Sequence, residues 1–194
     1  MKTFQITTLG CKVNQCESES LGQCLKSAGW TPVQGNAKAD LCIINTCTVT
    51  HKASMQSRQA ARQAIRCHPE AQVVVTGCYA QTEPEAIARI DGVDAVVGHR
   101  EKHRIPELVS VNSTEKTGNP EIFCPTLGNE RTFRRVPIEE IGERTRPFLK
   151  IQDGCNAFCT YCIVPHARGR SRSLFPEAVL DSIRALSGSG YHEV

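Results

Sequence analysis

The chain has 194 residues, with 23 Lys and Arg against 20 Asp and Glu and a net charge of +3. That length allows one or two domains with a sizeable core, the charge is too mild to mark a nucleic-acid binder by itself, and no run approaches the roughly 18 apolar residues of a membrane span. Eleven cysteines, behind a start (MKTFQITTLGC) that lacks the parts of a signal peptide, point to thiols kept reduced in the cytoplasm.

Residues 3–9 (TFQITTL) are β-branched and aromatic, which predicts a first strand ended by Gly10-Cys11. Asn14, with Glu17 three residues on, has the form of a capping box. Leu21, Cys24, Leu25 and Ala28 then fall at helical spacing and form a core-facing stripe, closed by Gly29. Asp40 to Asn45 is a second strand, followed by a helix over about 50–67. Val73-Val74-Val75 is a third strand ended by Gly77-Cys78, and Pro84 opens or interrupts the next helix. Ala95 to Gly98 is a fourth strand, and Ile105 to Val109 a short helix. Continuous Val and Ile runs alternating with helices predict an α/β domain over 1–110, with a parallel sheet covered on both faces.

Cys11, Cys47 and Cys78 each stand one or two residues beyond the end of a predicted strand. Open α/β sheets bind ligands beyond the carboxyl ends of their strands. The three thiols are therefore placed to converge, and they form a candidate three-thiolate site for an iron–sulfur cluster with one open iron. Five other cysteines, Cys16, Cys24, Cys42, Cys67 and Cys124, read as buried small hydrophobes. Cys16 lies close enough to Cys11 to compete with it as a ligand.

Residues 111–146 lack a clear period and carry several Gly and Pro, so they read as a linker, with a short strand expected near Thr132–Ile138. From 147 a second unit begins. Phe148, Leu149 and Ile151 lead to Asp153-Gly154 and then to Cys155, Cys159 and Cys162, in a C-x3-C-x2-C spacing. A closed zinc site wants four ligands, and this loop offers three Cys and at best His166. Three thiolates on an iron cube again leave one iron open. Arg168, Arg170 and Arg172 crowd the end of the loop, where phosphate contacts to RNA are expected. Arg58, Arg62 and Arg66 line one face of the long helix, as an RNA stripe or an ordinary solvated face. A helix follows from Pro176 to about Leu186. The chain then stops at Tyr191-His192-Glu193-Val194, where another strand would start, so the sequence reads as truncated within 147–194.

The C-x3-C-x2-C loop, with Tyr161 before its last cysteine, resembles the cluster loop of the radical S-adenosylmethionine (SAM) enzymes. The two cysteine sets in this order resemble the methylthiotransferases over the whole chain, through Gly10-Cys11-Lys12-Val13-Asn14-Gln15, Asn45-Thr46-Cys47, Gly77-Cys78 and the stretch Asp153 to Gly169. The variant Gly-Cys-Lys-Val-Asn-Gln, with Arg168-Gly169-Arg170-Ser171-Arg172-Ser173, looks like the branch that acts on N6-threonylcarbamoyladenosine at tRNA position 37. Cys16 departs from it, since that branch commonly has Tyr there.

The resemblance implies a flavodoxin- or Rossmann-like first domain followed by the start of a radical SAM partial barrel. It implies two [4Fe-4S] clusters, on Cys11, Cys47 and Cys78 and on Cys155, Cys159 and Cys162, with SAM near Tyr161 and Glu193 in the stretch that meets the SAM amine. It further implies C2 methylthiolation of a tRNA substrate, with a sulfur donor and an electron donor protein as partners and no membrane. A fragment ending at Val194 is expected to be inactive alone. Two alternatives remain at this point. One is methylthiolation of another target, isopentenyladenosine tRNA or ribosomal protein S12. The other is a non-catalytic iron–sulfur protein, which would explain the cysteines but neither their strand-end placement nor the arginine-rich run.

Overall fold

A computed structural model describes residues 2–35, 37–111, 119–128, 133 and 145–194. Its frame is a six-stranded sheet in the order β2-β1-β3-β4-β5-β6, with every pairing parallel. The strands are β1 (Thr3–Thr8), β2 (Thr31–Pro32), β3 (Leu41–Thr46), β4 (Gln72–Gly77), β5 (Ala95–Val97) and β6 (Glu121–Phe123). The first five run in the flavodoxin-like order, in which the chain changes direction between β1 and β3. Register brings Thr8 opposite Asn45 and Thr46 opposite Gly77, so the residues that follow these strands leave the sheet side by side.

The sheet is buried on both faces, as its unbroken apolar strands require. Ile44, Val73, Val75 and Val96 point one way, toward Ala61 of α2 (His51–Cys67) and Ile87 of α4 (Pro84–Ala88). Leu41, Ile43, Val74 and Val97 point the other way, toward Leu21 and Leu25 of α1 (Lys12–Ser27) and Ile105 of α5 (Ile105–Val111). Each such fully buried side chain contributes about 1.5–3 kcal/mol. The short α3 (Cys78–Thr82) begins directly at the end of β4.

Three local features differ from the sequence reading. Helix α1 starts at Lys12 with Cys11 as its cap, and no side chain caps it. Asn14 and Glu17 form no capping box because partners distant in the chain, described below, take both side chains. The pair Thr31–Pro32 joins the edge of the sheet after the buried Trp30. It is too short to show a strand period. The stretch expected as a linker supplies β6, paired with β5 from Ala95↔Glu121 to Val97↔Phe123. The strand expected near 132–138 lies outside the described residues, apart from Phe133.

The second unit consists of a two-stranded antiparallel ladder, β7 (Gln152–Asp153) with β8 (Arg172–Ser173), and two helices. These are α6 (Val164–Arg168) and α7 (Pro176–Gly188). Helix α7 buries Leu186 but leaves Leu180 and Ile183 exposed.

Candidate metal centres and the ion network between them

The strand-end cysteines are held by the turns that carry them. Cys11 is exposed, while Cys47 and Cys78 are each 5% exposed. Ser57 on α2 brackets Cys47, accepting from its amide at 3.2 Å and donating to its carbonyl at 3.0 Å. Gly10, just before Cys11, packs so close to Cys47 that a Cβ there would lie 2.7 Å from the Cys47 Cβ and 2.8 Å from its Sγ. Gly77, just before Cys78, has a φ of +99°, and a Cβ on it would meet the Thr46 amide nitrogen at 2.5 Å. Only glycine fits both demands.

Asn14 ties two of these turns together. It is fully buried, and its amide nitrogen donates to the carbonyls of Leu9 at 2.7 Å and Thr46 at 3.0 Å. Asn45 in turn donates to the Asn14 carbonyl at 2.9 Å. Burial pushes the Cys78 thiol up, and the nearby Arg168 and Lys102 charges work in the opposite direction.

All eleven cysteines are free thiols. Among the described residues, no three His, Cys, Asp or Glu side chains close on a single metal ion. A cubic cluster makes a different demand, since each thiolate binds its own iron at a separate corner. Three thiols beyond adjacent strand ends, with Gly10 leaving room at the Cys47 sulfur, fit that demand in donor type. Soft thiolate donors of this kind select iron–sulfur clusters, zinc or copper(I) over hard cations.

The same strand-end logic reaches a residue that sequence reading missed. His99 lies two residues past β5, and its Nε2 is 3.4 Å from the Cys78 Sγ. Its Nδ1 approaches Glu17 at 3.9 Å. Burial, reinforced by Lys102, holds its pKa well below the usual imidazole value, so the ring is neutral. The fourth predicted strand ended at Gly98, which was signal enough to find it.

The second cysteine set lies on one loop. Cys155 donates its amide to the Gly169 carbonyl and Cys162 to that of Cys159. Cys159 is exposed, and Tyr161, expected beside SAM, is 89% exposed. Phe158 sits at a φ of 46°, edge-on to His166 and beneath the Arg170 guanidinium. Glu193 pairs with Arg146 at the surface.

The expectation of RNA contact fares differently for each arginine. Arg168 is 6% exposed, and its guanidinium donates to Glu17 at 2.9 Å, Asp153 at 2.8 Å and Asn14 at 2.6 Å. Two carboxylates hold it inside. Arg172 bonds Asp153 and the Arg168 carbonyl. On the long helix, Arg58 stacks over Tyr79 and bonds its hydroxyl, while Arg62 and Arg66 are exposed.

Arg168 belongs to a buried network that joins the two cysteine sets. Glu17 also accepts from Lys102 at 2.7 Å and Lys150 at 2.6 Å. Asp153 accepts from Lys150 at 2.9 Å. Burial acts against the Glu17 charge, but Lys102, Lys150 and Arg168 outweigh it and hold the carboxyl well below its usual range. Through Arg168 and Asn14 the chain of bonds runs from the second loop to the peptides beside Cys11 and Cys47.

The other cysteines are distributed as packing or surface residues. Cys42 is buried in β3, Cys24 is half-buried, and Cys67 is exposed, contrary to the reading of it as a core residue. Cys16 is buried with its Sγ 3.5 Å from the Phe148 carbonyl. Cys124, one residue past β6, has its thiol pushed up to about 11 by burial.

The chain is similar in sequence to known proteins. Residues 3–98 match the family described as Uncharacterized protein family UPF0004. A threonylcarbamoyladenosine tRNA methylthiotransferase of Bacillus subtilis (strain 168) is 41% identical over 194 residues, covering 100% of this chain and 43% of the relative. The enzyme of the same name from Aquifex aeolicus (strain VF5) is 39% identical, covering 96% of this chain and 45% of its own. A tRNA-2-methylthio-N(6)-dimethylallyladenosine synthase of Ehrlichia canis (strain Jake) is 35% identical, covering 100% of this chain and 44% of the relative. The chain thus spans less than half the length of these relatives, and it belongs to the methylthiotransferase family, of which it carries an N-terminal part.

Proposed function

We propose that the chain is the N-terminal part of an enzyme that methylthiolates C2 of N6-threonylcarbamoyladenosine at position 37 of tRNA. On this reading Cys11, Cys47 and Cys78 hold one [4Fe-4S] cluster, Cys155, Cys159 and Cys162 hold another, and SAM binds at the second beside Tyr161. When bound, a three-thiolate cluster supplies an electron and an open iron, for SAM at the loop and for a sulfur ligand at the strand ends. The observation that carries the proposal is that β1, β3 and β4 are neighbours in the sheet, at and beside its direction change, and that each is followed by a cysteine beyond its carboxyl end. No storage or electron-carrier role requires that placement.

The residues of this chain act by holding these groups in register. Asn14 and Ser57 fix the peptides that carry Cys11 and Cys47. Arg168 and Lys150 fasten the loop of the second set to Glu17 of the first domain. Preorganisation of this kind favours reactions between two bound groups. Work on tRNA implies a cytoplasmic enzyme fed by an electron donor protein and a sulfur donor, and among the described residues no helix is long and apolar enough to cross a membrane.

The tRNA target follows from Gly10-Cys11-Lys12-Val13-Asn14-Gln15 and the run from Arg168 to Ser173. It agrees with the 41% and 39% identical relatives, against 35% for the dimethylallyladenosine enzyme. Mass spectrometry of tRNA nucleosides from cells lacking the gene tests it directly. The 2-methylthio derivative of N6-threonylcarbamoyladenosine should vanish and its precursor accumulate. Loss of the methylthio group from isopentenyladenosine instead would move the chain to the other tRNA branch.

A further inference from the structure

Among the described residues, the charges between the two cysteine sets do not balance. Among the described residues, Glu17 and Asp153 face Lys102, Lys150, Arg168 and Arg172, so two carboxylates meet four cations. None of these side chains is more than 16% exposed. A buried surplus of positive charge is strongly unfavourable unless an anion lies beside it. Cys78 lies beside it: its sulfur is 3.4 Å from His99, whose other ring nitrogen is 3.9 Å from Glu17, the carboxylate that Lys102 and Arg168 share.

We propose that this buried cationic surplus, centred on Arg168 and Lys102, is the counter-charge of the iron–sulfur group on Cys11, Cys47 and Cys78 and sets its reduction potential. The inference rests on the metal-site reading above. A four-iron cluster on three thiolates is an anion and gains one further negative charge on reduction. Its potential depends on net charge, hydrogen bonds to its sulfurs and exposure to water. Fixed cations nearby favour the reduced form and raise the midpoint, whereas Glu17 lowers it. Groups that orient and surround metal ligands tune the metal in this way elsewhere. Glu17 thereby has two effects of opposite kind: it fastens the loop through Arg168 and Lys150, and it cancels part of their charge.

The test is a redox titration followed by electron paramagnetic resonance. It uses the full chain loaded anaerobically with iron and sulfide, with Cys155, Cys159 and Cys162 changed to Ala so that one cluster responds. Lys102→Met and Arg168→Met should each shift the midpoint to more negative potential. Glu17→Gln should shift it to more positive potential, and Arg168→Lys should return it close to the parent. If the cysteine-depleted background fails to load, the same titration is run on the two-cluster protein, where the relevant wave is the one that Cys47→Ala removes. Midpoints that stay put, or that all move the same way at full iron content, overturn the counter-charge role and leave the network purely structural. Iron and sulfide analysis of the parent separates this from failure of the metal-site reading, in which no four-iron cluster forms at all. Should Arg168→Met lose its fold, the opposed shifts of Lys102→Met and Glu17→Gln decide the question.

Discussion

The two cysteine sets lie on either side of the Glu17–Arg168 pair and are built by opposite means. Cys11, Cys47 and Cys78 come from three separate strand ends, and their approach depends on the pairing of β1, β3 and β4. Two of the three are buried, and Asn14, Ser57 and Gly77 fix the turns that carry them. Cys155, Cys159 and Cys162 share one loop, partly open to water, held by few backbone bonds and a two-residue ladder. In the first set the folding of the whole sheet bears the entropy of bringing the thiols together. In the second, short sequence separation makes that cost small. One site should therefore be sensitive to distant changes in the sheet, and the other only to changes in its own loop.

The largest effect expected is on metal content. Cys47→Ala or Cys78→Ala should abolish the cluster of the first set, whereas Cys24→Ala and Cys67→Ala should leave iron and sulfide unchanged. The metal-free protein should unfold at nearly the same temperature in all four, because the sheet sets the strand ends. If Cys16→Ala removed the cluster and Cys47→Ala did not, the strand-end reading would fall.

Next come two glycines in matching positions, each just before a cysteine of one set. Gly77→Ala would force a Cβ against the Thr46 peptide at a φ of +99°. That peptide lies in the central pair of strands, so a cost of about 3 kcal/mol to the whole domain is expected in urea unfolding. Gly154→Ala also meets backbone, the Gly169 carbonyl at 2.5 Å, at a φ of +75°. Its loss should be confined to the loop, read as faster proteolysis there with the main unfolding transition little moved. Equal effects on the main transition would mean that the two units unfold as one.

The sheet itself was legible in the sequence because Leu41 to Ile44 and Val73 to Val75 are continuous apolar runs with glycine or cysteine shortly beyond them. Thr31–Pro32 and Glu121–Phe123 were not, since two or three residues at a sheet edge carry no period and take their structure from a neighbour. The six cysteines could be singled out by spacing and by strand ends. Asn14 and Glu17 showed the right residue types for a helix cap and were misread, because partners such as Thr46 and Arg168 lie far along the chain. The burial of Arg168 was hidden for the same reason. A charge at a loop end looks solvated until the carboxylates that face it are known.

Glu17 offers the finest test of how the two sites are joined. It faces Lys102, Lys150 and Arg168 as cations, His99 as a neutral ring and Asp153 across the shared arginine and lysine. Its carboxyl is held below its ordinary range in the folded chain despite burial. A carboxylate with a depressed folded-state pKa contributes stability above its unfolded value, about 4.3, and loses it as pH falls through the lower folded value. At pH 7, Glu17→Gln should therefore cost about 2–3 kcal/mol, the range for removing a charged partner from buried hydrogen bonds. That gap should narrow progressively once the pH falls below the unfolded value. Unfolding of metal-free parent and Glu17→Gln across this range measures it, without interference from an acid-labile cluster. A gap that stays constant into acid would mean that Glu17 packs the interface without its charge. The two cysteine sets would then be joined by shape rather than by ion pairing.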